Sequence, residues 1–129
     1  SCTIKLGNYT NPVIDENQAD LLIGLETNEA LRNVQFLKPT GTLVVNAEDT
    51  FPSADVNADV YKVDAFTKAL AKEFPIQGLN VYMLGLVISK CKDFPFSLED
   101  VKEALTQFNP KISEQNIAVL EKAIADAKA

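Results

Sequence analysis

Residues 19–47, ADLLIGLETNEALRNVQFLKPTGTLVVNA, leave few folds open. An apolar run (Leu21, Leu22, Ile23, Gly24, Leu25) ends at Glu26, and a helical pattern fills 27–37. Lys38, Pro39, Thr40 and Gly41 stop that pattern, and a β-branched run (Thr42, Leu43, Val44, Val45, Asn46) follows. Strand, helix and strand in so short a stretch make a right-handed crossover, the unit that joins parallel strands. Neither strand alternates polar with apolar residues, as expected where helices cover both faces of a sheet. The pattern predicts an α/β fold with parallel strands near 20–26, 42–47 and 60–63 and a helical C-terminal third.

The flanking segments read in the same way. Residues 2–6 alternate and predict a half-exposed strand. Turn chemistry at Gly7, Asn8, Thr10, Asn11 and Pro12 would let Val13 and Ile14 pair back as a hairpin arm. Thr27 is the expected N-cap of the crossover helix, with Glu29 in its first turn and Ala30, Leu31, Val34 and Leu37 toward the sheet. Residues 48–59 read as loop. Asp64 is placed to cap a helix over 65–74, and 79–92 reads as a largely buried helix. Gly85 within that helix costs about 1 kcal/mol against alanine and points to close backbone packing. Ser97 and Asp100 form a capping-box pattern, with Leu98, Val101, Leu105 and Phe108 as an apolar stripe behind it. After Pro110, Ser113 is the expected cap of a last helix that buries Ile117, Leu120 and Ile124.

Composition removes several functions. The 129 residues, with 47% hydrophobic and 23% charged, suit a single globular domain. No apolar run nears the roughly 18 residues of a membrane span, and a net charge of −6 without a basic stripe argues against nucleic acid and anionic membranes as partners. There is no histidine, which excludes Ser-His and Cys-His nucleophile systems and imidazole metal sites. Cys2 and Cys91 are the two cysteines, too few for a cluster site or a disulfide framework, and a reduced, cytoplasmic compartment fits them. Cys91 is expected to be a small core residue. The composition is that of a subunit or a binding module.

The run ADLLIGLETNEALRNVQFLKPTGTLVVN resembles the middle of the gamma subunit, or gamma domain, of the 2-oxoacid:ferredoxin oxidoreductases, which act on pyruvate, 2-oxoglutarate, branched 2-oxoacids and indolepyruvate. IKLGNYTNPVI is similar to that family's hairpin, and VYKVDAFTKALAKEF to its next strand and helix. GLNVYMLGLV resembles its Asn-x-x-x-Leu-Gly helix through Asn80, Leu84 and Gly85, while FSLEDVKEALTQF and NIAVLEKAI resemble its C-terminal helix pair. Each motif is weak alone; their order and spacing carry the resemblance. It implies a Rossmann-like, mostly parallel sheet and a gamma component that works beside alpha and beta subunits. Thiamine diphosphate and iron–sulfur clusters would then belong to other chains, and none is expected in this one. The complex would oxidatively decarboxylate a 2-oxoacid to an acyl-coenzyme A, with this chain non-catalytic by itself. Complete gamma chains open with a strand and a GxGGQG turn, whereas the five glycines here, at 7, 24, 41, 78 and 85, form no Gly-x-Gly. The chain therefore reads as the later part of a longer gamma domain, and any coenzyme binding by that turn is not carried over. A stand-alone α/β binding or adaptor domain is the alternative reading.

Candidate ligand residues follow from the crossover. Glu26, Thr27 and Asn28 sit where the first strand meets its helix, and Asn46 ends the neighbouring strand beside Glu48 and Asp49. Ligands of open α/β sheets bind outside the carboxyl ends of the strands. The plainer alternative is that Thr27 caps, Glu26 pairs with a basic neighbour and the acidic loop is solvated. Asn80 either contacts a ligand or partner, or caps its helix.

The first apolar strand raises one more expectation. Without a neighbour on its outer side, 19–25 is an open edge that no proline or lysine within it blunts. A homo-oligomer covering that edge, or one exchanging residues 2–6, is expected of the isolated chain; folding back of 2–6 within one chain is the alternative.

Overall fold

A computed structural model describes residues 2–7, 9–11 and 13–129. Among them, strands β1 (Ala19–Gly24), β2 (Leu37–Asn46) and β3 (Asp59–Val63) form one parallel sheet in the order β1-β2-β3. Helices α1 (Thr27–Asn33), α2 (Ala65–Leu70), α3 (Leu79–Lys90), α4 (Leu98–Phe108) and α5 (Ser113–Lys128) complete the element order. The α/β expectation, the three parallel strands and the helical last third are all present.

The central strand explains the lack of alternation. Leu43, Val44 and Val45 are each wholly buried, yet they point to opposite faces. Leu43 and Val45 join Ala30, Leu37, Ala47 and Phe51 on the α1 side. Val44 joins Ala65, Phe74, Tyr82, Met83, Leu86, Val87 and Val119 on the side covered by α2, α3 and α5. A strand covered twice has no polar position to offer, so its sequence is continuously apolar.

Gly85 belongs to the crossing of α3 and α5. A Cβ there would lie 2.6 Å from the Ala123 Cβ and 2.8 Å from the Leu120 carbonyl oxygen, so glycine permits this approach. Ser97 and Asp100 form the expected capping box, with both reciprocal hydrogen bonds made. Cys91 is buried in the core, and burial pushes its thiol pKa up.

Several boundaries differ from expectation. The described residues before β1 carry no strand, so the hairpin of 2–6 with Val13 and Ile14 is not formed. Backbone donors that a ladder would need are taken locally: Tyr9 N–H donates to Gly7 O and Val13 N–H to Asn11 Oδ1. The expected turn residues Asn8 and Pro12 lie outside the described residues. The crossover helix stops at Asn33, one 3-10 turn covers Val34–Phe36, and Leu37 opens β2. Lys38, Pro39, Thr40 and Gly41 are therefore an irregularity inside β2. Pairing steps from Ala19↔Leu37 to Leu21↔Thr42, and Pro39, having no N–H, suits the unpaired stretch.

Helix α2 ends at Leu70, before the expected 74, where Lys72 adopts a positive φ of 63°. Phe74 is buried beyond it and stacks on Tyr82 at 4.3 Å. Helix α3 ends at Lys90. Phe108 is 89% exposed, so the stripe on α4 buries Val101 and leaves its last member in solvent. Ser113 is the first residue of α5 rather than its cap, with its hydroxyl donating to Pro110 O. On α5, Leu120 is buried as expected, but Val119, Ala123 and Ala127 fill the interface while Ile117 and Ile124 are half-buried.

Candidate functional site

The three strands point their carboxyl ends the same way, and a crevice of about 360 Å3 opens there. Glu26, Thr27, Asn28 and Asn46 all line it, together with Glu48, Thr50, Phe51 and Asp64. The topology thus brings together four of the five expected ligand residues. Asn80 lies apart, in a second cleft of about 1020 Å3 that borders the outer edge of β1. It is the second residue of α3, whose cap is Gly78, so Asn80 is not the cap.

Asn46 is the knot of the crevice. Its Nδ2 donates to Leu25 O at 3.2 Å, and its Oδ1 accepts from Ala65 N–H at 2.9 Å and Phe66 N–H at 3.4 Å. One amide therefore ties the end of β1, the end of β2 and the start of α2. The amide supplies both the donor and the acceptor that these three backbone groups need, which accounts for a polar residue at the end of an otherwise apolar strand.

Glu26, in extended backbone, is the cap of α1, its Oε1 accepting from Glu29 N–H at 3.1 Å. Thr27, the expected cap, is instead the first helical residue. Glutamate reaches back with one methylene more than the usual capping side chains, and it also pairs with Arg32 at 3.9 Å. Asp64 caps α2 as expected, accepting from Thr67 N–H and from the Thr67 hydroxyl. Lys62 contacts Asp49 through both the carbonyl, at 3.2 Å, and the carboxylate, at 3.5 Å.

Asp64, Phe66 and Thr67 were not among the expected site residues. The signal was available, because a residue that caps a helix straight after a parallel strand must sit at the same end of the sheet as Glu26 and Asn46.

The crevice presents carboxylates, hydroxyls and amides around Phe51, with the Thr67 hydroxyl donating to the Asp64 carboxylate at 2.7 Å. Glu26, Glu48 and Asp64 make it hostile to bare phosphate. Iron–sulfur clusters do not fit this chain: four thiolates are the usual ligand set, and its cysteines are one exposed (Cys2) and one buried (Cys91). Among the described residues no helix is long and apolar enough to cross a membrane.

Known proteins resemble this chain over most of its length. The chain is 27% identical to indolepyruvate oxidoreductase subunit IorB of Archaeoglobus fulgidus, in an alignment covering 92% of this chain and 68% of that protein. It is 26% identical to the IorB subunit of Thermococcus kodakarensis, over 90% of this chain and 67% of that protein. The IorB subunit of Pyrococcus horikoshii is likewise 26% identical over the same shares. The family described as pyruvate ferredoxin/flavodoxin oxidoreductase matches residues 1–125, and the chain belongs to that family.

Proposed function

We propose that this chain is the gamma-type component of a multisubunit 2-oxoacid:ferredoxin oxidoreductase, non-catalytic alone and assembled with alpha and beta subunits. The observation that carries the reading is the family match over residues 1–125, with IorB subunits as the relatives. Indolepyruvate is the 2-oxoacid those names favour. Thiamine diphosphate and the iron–sulfur clusters sit on the partner chains in this reading, consistent with two cysteines and no histidine here.

The crevice around Glu26, Thr27, Asn28 and Asn46 helps to position coenzyme A. The uncharged amide arm of that molecule suits the site better than its phosphates, because the lining carboxylates repel anions. Asn80, in the other cleft, serves contact with a partner subunit. The complex works in the reduced cytoplasm, and the isolated chain self-associates.

The test is to co-purify the chain with its complex and measure reduction of ferredoxin or a dye dependent on both 2-oxoacid and coenzyme A. Indolepyruvate is expected to outpace pyruvate and 2-oxoglutarate. A complex lacking any such activity, or a chain that co-purifies with no larger subunit, would sink the reading in favour of a stand-alone adaptor.

A further inference from the structure

We propose that the apolar strip formed by Leu25, Phe66 and Leu70 is a docking surface for a partner protein, and that its occupant is an amphipathic segment carrying apolar side chains and basic groups. This rests on the reading of the chain as one component of a multisubunit enzyme, and it specifies the face that the component offers to a larger subunit.

Leu25 and Phe66 both line the crevice at the carboxyl end of the sheet, and they are 46% and 50% exposed. Leu70, 64% exposed, follows Phe66 by four residues on α2, one helical turn along the same face. The opposite face of α2 packs on the core through Ala65 and Ala69. Asn46 and Asp64 hold the start of this helix by the N–H groups of Ala65, Phe66 and Thr67, so the Phe66 ring is not needed to position it. A fixed backbone thus holds these large apolar side chains in solvent, the mark of a surface that binds another molecule. Phe66 and Leu70 follow the third strand, and neither lines the cleft along the outer edge of β1.

Charge selects the occupant. Glu26, Glu48 and Asp64 stand at the crevice end of the strip. Glu26 is engaged by Glu29 N–H and Arg32, and Asp64 by Thr67, whereas the Glu48 side chain has no partner among the described residues. At the other end, Lys72 lies two residues beyond Leu70. Three carboxylates against one ammonium favour a basic partner, and a second copy, itself at net charge −6, is repelled. A segment that seats apolar side chains on Phe66 and Leu70 and brings a lysine or arginine to Glu48 satisfies both the strip and its charge.

A photoreactive phenylalanine analogue at position 66, in the complex co-expressed with its larger subunits, is the direct readout. The expected crosslink is to a peptide of a larger subunit that carries apolar residues and a lysine or arginine. Phe66→Ser and Leu70→Gln remove apolar surface without changing charge. Both positions are exposed, so circular dichroism should be unchanged while affinity for the larger subunit falls roughly tenfold or more. Glu48→Lys should also weaken assembly and leave it less sensitive to salt than the wild type. Assembly unaffected by all three substitutions overturns the proposal and leaves the component reading intact. Crosslinking to a second copy, or to another segment of the same chain, overturns it equally. A wild-type chain that binds no larger subunit overturns both readings together.

Discussion

The Tyr82 hydroxyl donates to Asp126 Oδ2 across 2.6 Å, joining the buried helix α3 to the last two turns of α5. Lys122 donates to both oxygens of the same carboxylate at 3.0 Å, and its ammonium also lies 3.3 Å from Glu73. Lys68 of α2 adds contacts to Glu73 at 3.5 Å and Asp126 at 3.9 Å. Three helices that cover one face of the sheet are thus fastened by one small charged group. Burial disfavours the Asp126 carboxylate, but the hydrogen bonds from Tyr82 and Lys122 and the charges of Lys122 and Lys68 outweigh it and hold its pKa below the usual range. Burial raises the Tyr82 phenol pKa, and the hydrogen bond to Asp126 raises it further.

Tyr82→Phe should lower stability by about 1.5–3 kcal/mol, the range for a hydrogen bond to a charged group. Asp126→Asn should lower it similarly and also flatten the acid limb of the stability curve. The sign follows from linkage. A depressed carboxylate contributes fully above its unfolded value of about 3.9 and loses that contribution as pH falls through its lower folded value. Chemical denaturation from neutral pH down to the acid limb checks both. An unchanged acid limb in Asp126→Asn would show that the carboxylate is not the responsible group.

Gly85→Ala tests the α3–α5 crossing. Helix propensity alone predicts a gain of about 1 kcal/mol. The added methyl would meet the Ala123 Cβ at 2.6 Å and the Leu120 carbonyl at 2.8 Å, and backbone cannot step aside cheaply. Overpacking of this kind costs about 1–3 kcal/mol, so net destabilisation is expected. Ala123→Gly in the same chain should restore part of the loss, because it removes one of the two collisions. A stabilised Gly85→Ala chain would contradict so close a crossing of the two helices.

What could be read in the chain followed the strength of its local signals. Leu43, Val44 and Val45 announced a strand buried on both faces, and Ser97 with Asp100 announced a helix start to the residue. Both are periodic or chemically specific signals that tertiary contacts reinforce. The hairpin over residues 2–14 failed because alternation records which side chains could face a core; it does not record whether a hydrogen-bonding partner exists. Thr27 lost the cap to Glu26 because the chain entered the helix one residue earlier than intrinsic preference dictates. The crevice was partly legible, since Asn46 ends a parallel strand and Glu26 follows shortly after the end of its neighbour. Asn46 could not be foreseen as a three-way tie, because its partners at Leu25 and Ala65 become neighbours only through the fold. Asn80 was separated from the others for the same reason: it enters on a helix that covers the other cleft.

Substitution at Asn46 should separate donor from acceptor. Asn46→Asp keeps the acceptor for Ala65 N–H and loses the donor to Leu25 O, while adding a carboxylate near Glu26, Glu48 and Asp64. Asn46→Ala loses both. Each should destabilise the chain by about 1–3 kcal/mol through the groups left unsatisfied, with alanine the more severe at low pH. Asn46→Asp alone should regain stability as pH falls, because protonation restores a donor and removes the repulsion. Denaturation midpoints at neutral and mildly acidic pH check this, and parallel pH profiles for the two variants would contradict it.

The isolated chain should have no 2-oxoacid oxidoreductase activity. Decarboxylation needs a group that accepts the carbanion left when carbon dioxide departs, and electron transfer needs a redox centre. With no histidine and two cysteines, one exposed and the other buried with its thiol pKa raised, the side chains supply neither. The crevice offers hydrogen bonds and negative charge, which can orient a substrate arm but cannot hold electrons. The purified chain, given indolepyruvate, coenzyme A and a dye acceptor, should reduce no dye above the protein-free background. Coenzyme A titrated into the same sample and followed by NMR should shift amides at Glu26, Thr27, Asn28 and Asn46. Dye reduction by the chain alone would refute the non-catalytic assignment. Silence of those amides at saturating coenzyme A would leave the crevice as the joint that Asn46 and the two helix caps make it.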